Sequence, residues 1–201
     1  MGRQSDAKDR LLIAADGLFR DRGFSAVGVA ELCSAAEVNK GSFYHFFPSK
    51  QALLLEVIDA AWDETGMLTE WERQRPHRPV DQLRRFLEEL FAFHYADKES
   101  SGEVRGSLLS NVAHELGTRN DEIATKLREL LERETSAFES LLTEALDRGE
   151  VSVGNPRHAA ESLIGCLHGL LMLAKVRNDL SVLPQSENDL LRLAGVVQPW
   201  L

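Results

Sequence analysis

The sequence predicts an all-α protein: an N-terminal three-helix helix-turn-helix domain followed by a C-terminal helical bundle. Three observations carry that reading. Apolar residues recur at helical spacing through most of the chain. Strand-like alternation is absent, and Val/Ile/Thr-rich runs are few. Cap residues and Gly or Pro stops bound the periodic stretches at helical lengths.

Taken in order, the first helix runs from about Asp6 to Arg22, with Leu11, Ala15, Leu18 and Phe19 on one face. Ser5 or Asp6 can cap it, and Gly23 ends it. Two short helices follow, roughly Gly28–Ala35 and Lys40–Phe46, and Pro48 stops the second. Ser49 caps a long helix that starts at Lys50. Residues 72–79 carry two prolines and little apolar content, the clearest interruption after residue 50. Further helices are expected at about Val80–Ala96 and Glu103–Leu116. A long one follows from the Asn120 cap to Arg148, closed by Gly149. Asn155-Pro156 is a cap followed by proline at the first helical position, and it opens a helix to about Arg177. A last helix spans roughly Ser186–Val196, which makes nine.

The 201 residues, 43% of them hydrophobic, are ample for a buried core. No apolar run approaches the ~18 residues of a membrane span, and the N-terminus has no signal-peptide core. Two isolated cysteines, Cys33 and Cys166, fit reduced thiols in a cytoplasmic protein. The net charge of −9 is unevenly spread. Residues 1–50 carry seven Lys/Arg and six Asp/Glu, whereas residues 51–201 carry sixteen and twenty-six. A near-neutral head binds phosphates when its cations share a face, and an acidic remainder keeps the rest of the molecule off DNA. The domains are therefore placed at 1–50 and 51–201, the first continuing into the helix from Lys50.

Function concentrates in residues 24–50, FSAVGVAELCSAAEVNKGSFYHFFPSK. Two short helices with Glu37-Val38-Asn39 between them, and Val29, Leu32, Ala35 and Phe43 turned inward, form the pattern of a helix-turn-helix. Asn39 is a good cap for the second helix, whose outer side carries Lys40, Ser42, Tyr44 and His45. A cation, hydroxyls and aromatics on one surface suit phosphate and base-edge contacts in a major groove. Gly41 permits close approach to the duplex. The Ser49-capped helix start with Lys50 is a second anion site, where amides, dipole and ammonium point the same way.

The stretch GSFYHFFPSKQALL resembles the signature of TetR-family regulators, and the length and helical plan extend the likeness over the whole chain. The resemblance implies that Lys40, Gly41 and Ser42 face bases or the adjacent backbone. It implies that Tyr44, His45, Lys50 and the amides near Ser49 contact phosphates. Two positions depart from the family pattern. Val27-Gly28 stands where Thr or Ser usually opens the second helix, which removes a cap. Glu37 stands where the turn usually has Gly, which demands an unfavourable backbone angle or a different turn and brings a negative charge near DNA. The stretch RGSLLSNVAHELGTRNDEI looks like a subgroup, some of whose members sense electrophiles through a cysteine; here that position is Ser107. A serine is no thiolate nucleophile at neutral pH.

In such proteins the later helices enclose a ligand pocket, and the last two long ones pair with a second subunit. The resemblance thus implies a homodimer on a double-stranded DNA operator, with an unidentified small-molecule effector. Trp62, Phe86, Leu90, Phe93, His94, Asn111 and His114 are candidates for the pocket. The helix from Pro156 is apolar around much of its girth and carries the small residues Ala159, Ala160, Gly165 and Gly169. Leu163, Leu167, Gly169, Leu170, Met172 and Leu173 are the candidate dimer face.

No catalytic motif, P-loop or Rossmann glycine set is present, and Cys166-x-His168 has no second pair nearby to make a metal site. The reading is a cytoplasmic, non-enzymatic repressor with no cofactor, no metal and no membrane association. An activator of the same fold, a low-specificity architectural DNA-binding protein and an all-α small-molecule carrier are the alternatives. The acidic remainder argues against the architectural protein, and residues 39–50 argue against the carrier.

Overall fold

The computed structural model describes residues 2–64 and 78–197, with side chains for residues 6–60 and 78–197. Among these there are ten helices and no strand: α1 Gly2–Arg22, α2 Val29–Ala35, α3 Lys40–Phe46, α4 Lys50–Glu64, α5 Pro79–Ser101, α6 Leu108–Leu116, α7 Asp121–Asp147, α8 Pro156–Arg177, α9 Val182–Gln185 and α10 Glu187–Leu193. One isolated antiparallel bridge joins Val151 and Val196. The chain forms two compact units, Met1–Glu64 with Ser107–Leu127, and Thr65–Gly106 with Arg128–Leu201. The boundary expected at residue 50 falls inside the first unit, because α4 buries Leu53, Leu54, Val57 and Ile58 there.

Several element limits differ from the sequence reading for local reasons. α1 already starts at Gly2, so Ser5 and Asp6 lie within it and do not cap it. Residues 103–106 are not helical, and α6 begins only at Leu108. Gly106 has φ +70°, and the Val104 N–H donates to Asn178 Oδ1 at 2.9 Å instead of to a helical carbonyl. Ser107 is the cap that starts α6, accepting the Ser110 N–H. Residues Val182–Gln185 form a separate short helix before the last one, which ends at Leu193. Of the proline-rich interruption at 72–79, residues up to 77 lie outside those described.

The first unit packs α2, α3, α4 and α6 around α1, whose Leu11, Ala15 and Phe19 are buried. Leu32, Phe43, Phe47 and Val112 close the same core. Ala35 is exposed and Ala36 is buried in its place, because the chain leaves the helical path after Ala35 and the turn swings the next methyl inward. Fully burying each large apolar side chain contributes roughly 1.5–3 kcal/mol, so Phe19, Phe43 and Phe47 contribute to this core alongside the buried leucines of α1, α2 and α4.

In the second unit α5, α7, α8, α9 and α10 share one core, with Phe86 edge-on to Phe138 at 5.1 Å between ring centroids. Arg78 offers no side-chain cap to α5. The buried carboxylate of Glu150 takes that role, accepting the Val80 N–H at 3.2 Å and Arg78 Nε at 3.0 Å. A carboxylate at a helix N-terminus also meets the positive end of the dipole. α8 is, by length and composition, long and apolar enough to cross a membrane, with a mean hydropathy of 1.4. The absence of such a run read from the sequence is corrected on that point. Leu163, Ile164, Leu167 and Leu171 of this helix lie in the unit's own core.

Candidate nucleic-acid interface

α2 opens without a side-chain cap, as Val27-Gly28 implies: Gly28 is the N-cap, and the amides of Glu31 and Leu32 both donate to its carbonyl at 3.1 Å. The turn after α2 is closed by Glu37 N–H to the Ser34 carbonyl (3.2 Å) and Val38 N–H to the Cys33 carbonyl (2.9 Å). Glu37 adopts φ +53°, the left-handed region expected there and the one that glycine occupies most easily. Asn39 then caps α3, its side chain accepting the Ser42 N–H at 2.8 Å. This cap gives Gly41 a second role, since a Cβ at that position would lie 3.1 Å from Asn39 Oδ1.

α3 buries Phe43 and turns outward Lys40, Gly41, Tyr44 and His45, with Ser42 half-buried at the edge. Tyr44 is 57% exposed, and its ring stands edge-on to Phe43 at 5.2 Å. Phe46 is only half-buried, whereas Phe47 is fully buried. The exposed Ser49 caps α4 by accepting the Ala52 N–H at 3.0 Å. The first amides of a helix have no intrahelical acceptor, so the starts of α3 and α4 both present donors near the outward residues of α3.

Lys50 departs from its expected role. Its ammonium turns inward, donating to the carbonyls of Phe24 and Val27 at 2.7 Å each and lying 4.1 Å from the centre of the Phe24 ring. Burial pushes its pKa below the ordinary lysine value, against the pull of Glu115. Holding two carbonyls at once, the side chain braces the loop after α1. Sequence reasoning missed Glu115 altogether. Its carboxylate accepts the amides of Phe24 (2.7 Å) and Ser25 (2.6 Å) in that same loop. No local pattern points to it, because its partners lie 90 residues away.

The candidate pocket residues divide between the units. In the second, Phe86 belongs to the core, Leu90 and Phe93 are half-buried, and His94 is buried beside the Phe93 ring. In the first, Asn111 donates to the Arg20 carbonyl at the end of α1 (3.4 Å), and His114 is exposed with Nδ1 2.8 Å from the Ser110 carbonyl. Trp62 lies in α4, but its side chain is outside the described residues.

Of the candidate dimer residues, Leu163 and Leu167 are buried in their own unit's core, and Leu170 packs against it. Gly169 is half-buried, and Met172 and Leu173 are exposed. The buried thiol of Cys33 is held above its ordinary pKa, chiefly by burial, which makes it a poor nucleophile. Among the described residues no group of three or more His, Cys, Asp or Glu side chains is placed to hold a metal ion.

A capped short helix with a polar outer face, set across a tight turn from a second helix, defines a helix-turn-helix DNA-binding protein. Residues 11–57 match the family model for bacterial regulatory proteins of the tetR family, and residues 79–187 match the tetracyclin repressor-like C-terminal domain. The chain belongs to the tetR family and is a DNA-binding transcriptional regulator, not an enzyme. It is 27% identical to the transcriptional repressor NemR of Escherichia coli over 96% of this chain and 95% of that protein. It is 33% identical to the transcriptional regulator AcuR of Cereibacter sphaeroides over 78% of this chain and 70% of that one. The crystal structure of a TetR regulatory protein from Rhodobacter sphaeroides superimposes with a TM-score of 0.79, at 28% identity, covering 94% of this chain and 97% of that chain.

Proposed function

We propose that this chain is a cytoplasmic homodimeric repressor that binds a palindromic operator and leaves it when a small molecule binds the C-terminal unit. The observation that carries the reading is the outward face of α3, where Lys40, Gly41, Tyr44 and His45 stand exposed beside the capped start of α4. Lys40, Gly41 and Ser42 face the bases or the adjacent backbone. Tyr44, His45 and the first amides of α4 at Ser49 and Lys50 contact phosphates. Repression is supported by relatives named as repressors, NemR and the DhaR protein of a Mycobacterium. The α5 residues Leu90, Phe93 and His94 combine apolar surface with one imidazole, the mixture a small-molecule site needs.

Dimerisation is supported by α8. Gly165, Gly169, Met172 and Val176 fall at helical spacing on one stripe, and Met172 and Val176 are 47% and 81% exposed. A Cβ at Gly165 or Gly169 would meet nothing within 4 Å, so packing within the chain does not require glycine at either. A partner helix approaching closely does. Two copies then present two α3 helices to half-sites about one duplex turn apart (~34–36 Å). A ligand that favours another spacing lowers affinity by linkage.

The test is selection of binding sites by the full chain from a randomised duplex pool, repeated at rising salt. A palindromic site bound by two copies is the expected result. Binding without a preferred sequence would favour an architectural role, and no binding at low salt would overturn the reading.

A further inference from the structure

The loop between α1 and α2 is held by groups it does not contain. Gly23 starts it at φ +80°, where a Cβ would lie 2.9 Å from Glu115 Oε2. The amides of Phe24 and Ser25 donate to the two oxygens of Glu115, and the carbonyls of Phe24 and Val27 accept from Lys50 Nζ. The loop is thus gripped by an anion on its donors and a cation on its acceptors. Glu115 lies outside residues 11–57, which match the family's N-terminal model. It is the only acidic residue of α6 and stands in the last turn. A carboxylate there opposes the helix dipole and is disfavoured unless something compensates. The two loop amides and the Lys50 ammonium do so. Burial alone would push the Glu115 carboxyl up, but the Ser25 hydroxyl, these amides and Lys50 hold it below the usual carboxylate value.

We propose that Glu115 is a positioning residue for DNA binding: with Lys50 it locks the Gly23–Gly28 loop and so fixes where α2 and α3 stand on α1. The proposal rests on the DNA-binding reading of α3. Leu32 and Phe43 are fully buried by apolar packing that does not include the grip, and that packing is expected to keep the helices in place when the grip is removed. What changes is the range of attitudes the α2–α3 pair samples. Binding must then select one of them, which lowers the apparent affinity by the fraction competent.

The test uses the full chain on the duplex that the wild type selects, with Glu115→Gln, Glu115→Asp, Lys50→Met and the double variant Glu115→Gln/Lys50→Met. Affinity is read beside helical content and the exchange rates of the Phe24 and Ser25 amides. Each neutralising single variant should weaken binding on the order of tenfold, within the usual range for coupling between separate sites. The double variant should lose no more than the weaker single, because both act through one loop. Glu115→Asp, which keeps the charge, should recover part of the loss; should Glu115→Gln unfold, Glu115→Asp carries the comparison alone. The salt dependence should not change, since neither side chain touches phosphate. Additive losses, or wild-type affinity in a folded variant whose two amides exchange faster, would overturn the proposal. A salt slope shallower by about one in Lys50→Met would return Lys50 to the phosphates and overturn it too. A wild type that selects no duplex sinks the DNA-binding reading and the proposal together, whereas equal binding by wild type and Glu115→Gln sinks the proposal alone.

Discussion

Glu37 donates its amide to the Ser34 carbonyl at 3.2 Å while its own backbone sits at φ +53°. The turn of the DNA-reading motif is therefore made with a residue that its conformation disfavours. A non-glycine residue in the left-handed region costs about 1–2 kcal/mol, partly offset by the lower chain entropy of a non-glycine residue when unfolded. We expect Glu37→Gly to raise the urea midpoint of unfolding by a stabilisation of about 1 kcal/mol. The same change removes a negative charge beside the reading helix. It should tighten binding to any duplex at low salt, and the gain should shrink as salt rises.

On the proposed DNA-facing side of α3, Tyr44 is assigned to anchoring and Ser42 to reading. Tyr44 is exposed and rests on Phe43, so Tyr44→Phe keeps the ring and removes only the hydroxyl. A hydrogen bond of about 0.5–1.5 kcal/mol lost to a phosphate weakens selected and scrambled duplexes alike, by roughly fivefold. A loss confined to the selected duplex would make Tyr44 a base contact instead. Ser42 is half-buried at the start of α3, and Ser42→Ala should change the sequence recovered by selection. If the recovered sites match those of the wild type, Ser42 reads no base.

Protonation should loosen the loop that Glu115 grips. The carboxyl is held below its ordinary value in the fold, so its contribution to stability is complete above the unfolded value of about 4.3. That contribution is lost as pH falls through the lower folded value. Urea midpoints of the wild type and Glu115→Gln should therefore differ most at neutral pH and converge in acid. A gap that stays constant to pH 3 would mean that the charge of Glu115 contributes nothing to stability.

What could be read in the sequence was local. Asn39 before Lys40, Ser49 before Lys50, Asn120 before Asp121 and Asn155 before Pro156 each cap the helix they precede, because a cap bonds within three residues. The strained angle of Glu37 was legible for the same reason. The role of Lys50 was not, since its carbonyl partners lie 23 and 26 residues back and a lysine at a helix start looks like an anion site. The break before α6 depends on Asn178, more than seventy residues downstream. On α8 the apolar pattern runs nearly all round, so periodicity alone cannot divide its core face from a partner face. Leu163 and Leu167 belong to the first, and Met172 and Val176 remain for the second.

That division gives the proposed dimer a clean test. Position 169 has open space around a would-be Cβ, so Gly169→Ala adds no clash within the chain. It also replaces a poor helix former in mid-helix, worth about 1 kcal/mol in favour of the fold. Against a partner helix packed on glycine, the same side chain forces the two axes apart. Val176→Lys places a charge where 81% of the residue is accessible and at the helix end that favours a cation, harmless in a single chain and costly when desolvated against another apolar helix. Each variant should therefore unfold at or above the wild-type urea midpoint when dilute, yet sediment as a monomer at concentrations where the wild type is a dimer. Each should also lose most of its affinity for a two-half-site duplex while binding an isolated half-site as the wild type does. Dimers that survive both changes would move the interface off this stripe of α8.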